Sequence, residues 1–158
     1  MSAPATLERA GIAARIPHQG SMCLLDRLDS WSATEVRCST TSHRAPANPL
    51  RTPSGLLMPC AIEYAAQAMA LHGALVAPAG EGPAPGYLAS VRGVRFAAAR
   101  LDDVAGRLQV LAERLAGDVN QILYRFVVSD ERGAPLAEGR ATVVLNTPIA
   151  PPSESTAP

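Results

Sequence analysis

Glu63 stands in the first turns of the stretch Cys60 to His72, which is otherwise almost wholly apolar. A carboxyl in that setting has two readings. It can point to solvent and meet the positive end of a helix dipole, an interaction worth about 0.3–1 kcal/mol. Alternatively it sits in a partly apolar pocket, where desolvation raises its affinity for a proton and makes it a general acid. Gln67 lies one helical turn further on and shares a face with Glu63, so its amide is placed to hold that carboxyl or to contact a neighbouring sheet. Three histidines offer proton-transfer partners. His72 is nine residues from Glu63, about 900° around a helix of 3.6 residues per turn, which puts it on the opposite side. His43 opens a proline-rich loop directly after a predicted strand, and loops on a rigid scaffold commonly carry reactive groups. His18 follows Pro17 in a turn. Spacing alone does not choose between His18 and His43.

Other chemistries fit poorly. The chain has no H-E-x-x-H or cysteine cluster for zinc, no G-x-S-x-G and no glycine-rich phosphate loop. Cys60, near a helix start, suits either a thiol nucleophile or a small packed side chain. Fourteen basic residues, all arginine, balance fourteen acidic ones, so no net field draws nucleic acid or an anionic membrane. The longest apolar stretch, Ala65 to Ala77, is interrupted by Gln67, His72 and Gly73 and is too short to span a bilayer. Three cysteines without C-x-x-C spacing, and an N-terminus lacking the apolar centre of a signal peptide, predict a cytoplasmic location.

These groups need elements to position them. Hydrophobic residues make up 47% of the 158, but aromatics only 4%, which predicts a core of Ala, Leu and Val with closely approaching backbones. Ser2 to Ala14 reads as a loose helix, Ile16 to Gly20 as a turn, and Met22 to Leu25 as a short buried helix or strand. Trp31 to Thr41 alternates like a strand. Pro46, Pro49 and Pro53 make His43 to Pro59 a loop. Pro59 is placed where helices begin, and the helix that follows is apolar on nearly all faces, which marks it as surrounded by protein. Four strand-length segments come next, Tyr87 to Phe96, Gly106 to Ala116, Gln121 to Ser129 and Ala137 to Asn146, and they read as an antiparallel meander. The expectation is one α+β domain over 1–146, with a curved antiparallel sheet wrapped around a central apolar helix. The Pro-rich tail, 147–158, is expected to be disordered.

Several of these segments carry a family pattern. Ile16-Pro17-His18-Gln19-Gly20-Ser21-Met22-Cys23-Leu24-Leu25-Asp26-Arg27 has a Pro-His turn, an apolar run and Asp-Arg. Glu63-Tyr64-Ala65-Ala66-Gln67 has the form E-x-x-A-Q, and the segment Gly86 to Phe96 is followed by strands ending in Gly139-Arg140-Ala141-Thr142. In this order and spacing, from Ile16 to Leu145, the chain resembles the hotdog-fold 3-hydroxyacyl-(acyl carrier protein) dehydratases, the FabZ-like enzymes. It is most similar to their ApeP-like subgroup, associated with aryl polyene biosynthesis.

The resemblance implies a hotdog fold and dehydration of a 3-hydroxyacyl thioester, on acyl carrier protein or coenzyme A, to the trans-2-enoyl thioester. The family's catalytic histidine falls at His43, with Ser42-His43-Arg44-Ala45-Pro46 standing where Gly-His-Phe-Pro-Gly is usual, and its catalytic acid falls at Glu63. Gln67, Cys60 and Ala61 are the implied substrate contacts, with backbone N–H groups of Cys60 or Ala61 as oxyanion donors. His18 takes a structural role. No metal or redox cofactor is implied, because the thioester acidifies its own α-carbon. The family pairs two hotdogs so that histidine and glutamate meet across the interface, as a homodimer or with a second hotdog dehydratase. Two rival readings stand beside this one: an acyl thioesterase in which Glu63 activates water, and a non-catalytic subunit that stabilises a partner dehydratase.

Overall fold

The computed structural model of the protein describes residues 3–81 and 86–146. In chain order its elements are β1 (Leu7–Glu8), α1 (Arg9–Ala13), β2 (Arg27–Trp31), β3 (Glu35–Thr40), α2 (Ala61–Val76), β4 (Gly86–Phe96), β5 (Leu108–Gly117), β6 (Gln121–Ser129) and β7 (Pro135–Leu145). Short 3-10 turns lie at Gly20–Met22, Ser42–Arg44 and Met58–Cys60. The seven strands form one sheet in the order β1-β2-β3-β5-β6-β7-β4, and every pairing is antiparallel.

The sheet curves around α2. Alternate residues of β6, Ile122, Tyr124, Phe126 and Val128, are buried, as are Leu108, Val110 and Ala112 of β5 and Val36 and Cys38 of β3. The period of two puts these side chains on one face, and α2 lies against that face. No residue of α2 is fully exposed. Its alanines let the backbone approach the strands, while Tyr64, Met69, Leu71 and Leu75 fill the remaining space. The sheet wrapped around a central apolar helix is therefore present as expected. No helix among the described residues is long and apolar enough to cross a membrane.

Four local expectations need correction. Ser2 to Ala14 is helical only over Arg9–Ala13, because Leu7 and Glu8 pair with Leu28 and Arg27 and extend the sheet. Met22 to Leu25 is neither helix nor strand beyond the turn ending at Met22, although Cys23, Leu24 and Leu25 are buried. The predicted Trp31 to Thr41 strand is the end of one strand and the whole of another. Ser32 Oγ accepts the N–H groups of Thr34 and Glu35 and turns the chain between them. Finally, the Tyr87 to Phe96 strand does not pair with the strand that follows. It pairs with β7, so the meander is β5-β6-β7 alone with β4 beyond it. The β5-β6 and β6-β7 turns are tight because Asp118 Oδ1 accepts from Asn120 and Gln121 and Asp130 Oδ1 from Arg132 and Ala134. Residues 97–107 hold no such turn and carry the chain across to β5 beside β3. The predicted disordered tail, 147–158, lies outside the described residues.

His72 explains part of the core's polarity. It is fully buried, its Nε2–H donates to the Ser32 carbonyl at 2.9 Å, and its Nδ1 accepts the Tyr124 hydroxyl at 2.9 Å. Both ring nitrogens are therefore partnered inside the core, in keeping with its absence from the expected chemistry. Burial pushes its pKa below the ordinary 6.5, and Arg114 pushes the same way. The unfolded chain therefore binds a proton that the folded chain resists. His72's contribution is complete above about pH 6.5 and is lost as the pH falls from there through the lowered folded value. The melting temperature is expected to hold from pH 8 to 7 and fall between 6.5 and 5, with a shallower fall in His72→Gln. An equal fall in that variant would remove His72 as the cause.

Candidate active site

Gln67 is the junction of the site. Its side chain is sealed from solvent, and its Oε1 accepts the Leu24 N–H at 2.9 Å. That bond fixes which end of the amide is which. The Nε2 group then donates one hydrogen to the Met22 carbonyl at 2.8 Å and the other to Glu63 Oε1 at 3.1 Å. Of the two contacts open to Gln67, the hydrogen bond to its i, i+4 neighbour is present. The amide has no exposed atom for a substrate, so within the chain Gln67 holds Glu63 and leaves no open contact of its own.

Glu63 projects from the first turn of α2 with its side chain 34% exposed. Its second neighbour is His18, whose Nε2 lies 3.1 Å from Oε1 and whose side chain is 26% exposed. The structure thus brings His18, expected to be structural, against the glutamate. The turn that carries it is well held. Gln19 Nε2 donates to the carbonyls of Ala13 and Ile16, and Arg9 Nη2 donates to the Gly20 carbonyl at 2.9 Å. Gly20 takes φ +58°, a region that suits glycine.

His43 is placed separately. The structure does not set it against Glu63; its ring is fully buried and bonds the Val104 carbonyl through Nε2 at 2.9 Å. A carbonyl only accepts, so the proton is on Nε2 and Nδ1 carries a lone pair. Nδ1 is buried without a hydrogen-bond partner. Burial is the main force lowering the pKa of this ring, opposed by the Val104 bond, and it keeps the imidazole neutral. This is the protonation state of a base at rest.

The loop bearing His43 is nevertheless tied to the same turn of α2 that bears Glu63. Tyr64, next in sequence to Glu63, sets its hydroxyl 2.9 Å from Ser42 Oγ and accepts from Asn48 Nδ2 at 3.0 Å. Ser42 Oγ and Thr40 Oγ1 both donate to the Leu24 carbonyl at 2.6 Å. Leu24 therefore joins the two histidine-bearing segments, its N–H on Gln67 and its carbonyl on Ser42.

The expected oxyanion donors are not free. The N–H of Cys60 bonds the Leu57 carbonyl at 3.0 Å, and that of Ala61 bonds the carbonyls of Met58 and Pro59. The reason is continuity: the 3-10 turn runs straight into α2 and uses the donors that an abrupt helix start would leave open. Ala61 is also wholly buried. Burial pushes the Cys60 thiol above its ordinary range, opposite to what a thiolate nucleophile needs.

Comparison with known proteins supplies a context for this geometry. A family model described as ApeP-like, ApeP dehydratase, matches residues 10–151. No curated protein matches the sequence. Among solved structures, the dehydratase heterocomplex ApeI:P from Xenorhabdus doucetiae is similar with a TM-score of 0.76 and 24% identity, over 86% of this chain and 91% of that one. A thioesterase from Haemophilus influenzae is similar with a TM-score of 0.61 and 11% identity, over 91% of this chain and 94% of that one. A hypothetical thioesterase from Streptococcus pneumoniae, solved with coenzyme A, gives a TM-score of 0.56 and 11% identity over 78% and 87% of the two chains. At these identities the structural likenesses show a shared hotdog fold.

Proposed function

Because the chain belongs to the ApeP-like dehydratase family, we propose that it removes water from a 3-hydroxyacyl thioester, carried on acyl carrier protein or coenzyme A, and leaves the trans-2-enoyl thioester. The observation that carries this reading is the carboxyl of Glu63, gripped through Oε1 and with Oε2 unbonded among the described residues, at the half-open start of a mostly apolar helix. In the proposed step His43 Nδ1 takes the α-proton, the Cα–Cβ double bond forms, and Glu63 gives a proton from Oε2 to the 3-hydroxyl as it departs as water. Each proton-transfer group contributes about 10²–10⁴-fold to the rate.

Purified protein incubated with a 3-hydroxyacyl carrier protein should form the enoyl thioester without releasing thiol. Thiol release with no enoyl product would overturn the proposal in favour of hydrolysis. One observation favours that second reading. His43 is closed off within the chain, so the loop over it must part before Nδ1 meets a substrate, whereas Glu63 can already reach water.

We further propose a second hotdog chain as partner, a copy of this one or a homologous dehydratase, seated along β4. Among the described strands it is one edge of the sheet, and it exposes Tyr87, Leu88, Val91 and Phe96, each about two-fifths accessible. An apolar edge strand of this length invites pairing. The assembly is expected to fall to monomers in Leu88→Arg/Val91→Arg on size-exclusion chromatography with light scattering. An unchanged mass for that variant would place the partner elsewhere.

A further inference from the structure

His18 and Glu63 are 45 residues apart in sequence but meet at 3.1 Å, and the amide that bonds Glu63 also bonds Met22 and Leu24 in the segment after His18. Gln67 bonds Glu63 on one side and, through Leu24 N–H and the Met22 carbonyl, fastens the segment that follows His18 on the other. The two motifs Pro17-His18-Gln19-Gly20 and Glu63-x-x-x-Gln67 are one physical unit. What that unit does follows from its hydrogens. Gln67's amide orientation is fixed by Leu24, so its Nε2–H donates to Glu63 Oε1 and Oε1 accepts. An oxygen already accepting there is the poorer place for the carboxyl's own proton, which belongs on Oε2. His18 then faces an acceptor and meets it with a proton on Nε2. Its Nδ1 is left with a lone pair, and Nδ1 is the atom that is buried without a partner.

We propose that His18 is a positioning residue for the proton transfer made by Glu63. It donates from Nε2 to Oε1, fixes the plane of the carboxyl together with Gln67, and so leaves Oε2 as the single oxygen that carries a proton to the reacting atoms. His18 acts through Glu63 and does not itself touch the substrate. The kinetic consequence rests on the dehydratase reading above; the hydrogen-bond assignment does not. His18 meets Glu63 within its own chain, so this half of the site is complete within one protomer.

The test has two arms. In ¹⁵N NMR of the histidine-labelled full-length protein, His18 should show the pattern of a ring protonated at Nε2 with a bare Nδ1, and Glu63→Ala should shift it toward a mixture of tautomers. A wild-type His18 protonated at Nδ1 and bare at Nε2 would overturn the proposal whether or not the protein proves to be a dehydratase. In turnover assays, His18→Leu should lower kcat on the order of 10- to 100-fold with KM within about twofold, the scale of a misplaced reacting group. His18→Gln, which keeps an N–H near the Nε2 position, should recover most of that loss. If His18→Leu folds and turns over like the wild type, or His18→Gln folds and is as impaired as His18→Leu, the positioning role is excluded. If no enoyl product forms with any protein, the dehydratase reading fails and the NMR arm alone decides the bond.

Discussion

Glu63→Gln is expected to lower turnover of a 3-hydroxyacyl thioester by about 10²–10⁴-fold, the worth of one positioned proton donor. The substitution is nearly isosteric. A glutamine oxygen in place of Oε1 still accepts from Gln67 Nε2 and faces His18 Nε2, so the clamp survives while the transferable proton is lost. The side chain is about a third exposed and its bond with the buried Gln67 survives the substitution, which confines the stability change to about ±0.5 kcal/mol. An unchanged melting curve with collapsed turnover is the result expected from activity assays run beside calorimetry. Full activity in a folded Glu63→Gln protein would remove Glu63 from the chemistry.

An equally large loss is expected for His43, and the choice of variant matters. Alanine would leave the Val104 carbonyl without its donor, a cost of about 1–3 kcal/mol that mixes unfolding with catalysis. His43→Gln keeps an amide N–H for Val104 but has no basic nitrogen, so it isolates the base. Its turnover should fall by about 10²–10⁴-fold. If histidine and glutamate come from opposite chains of a homodimer, subunit exchange between His43→Gln and Glu63→Gln proteins restores one intact site in each mixed dimer. Random twofold pairing then returns about a quarter of wild-type sites. No recovery, with exchange verified by mass, would sink the shared-site arrangement. It would leave the His18–Glu63 contact, which lies within one chain, untouched.

The parts legible in the sequence are those governed by local physics. The α2 helix could be read because Pro59 marks its start and apolar residues occupy every face. The Glu63–Gln67 bond was one of two contacts open to Gln67, because i, i+4 geometry puts the pair on one face without choosing the partner. β5, β6 and β7 could be read from alternation and from Asp-bearing turns. β2 could not be, since Arg-Leu-Asp-Ser-Trp buries a single residue, Leu28, and shows no period. The partner of β4 was hidden because pairing with β7 depends on where residues 97–107 carry the chain, a matter of global topology. The expected donors at Cys60 and Ala61 failed for a subtler reason. Proline at a helix start suggests open N–H groups, but here a 3-10 turn precedes the helix and fills them. His18 lay beyond any spacing rule, because its direct contact with Glu63 is made by tertiary packing of a turn 45 residues away in sequence.

The position of β4 also sets an order of assembly. Among the described strands it is made fourth, yet its bonding partner β7 is made last, and β7 must lie between β4 and β6. During synthesis α2, β5 and β6 can gather on β3 while β4 waits with the backbone groups that β7 will bond still unpaired. Such a waiting strand is open to mispairing. The sheet closes only when residues near Leu145 leave the ribosome, so shortening β7 from its end should harm solubility more than shortening the chain by the same amount at its start.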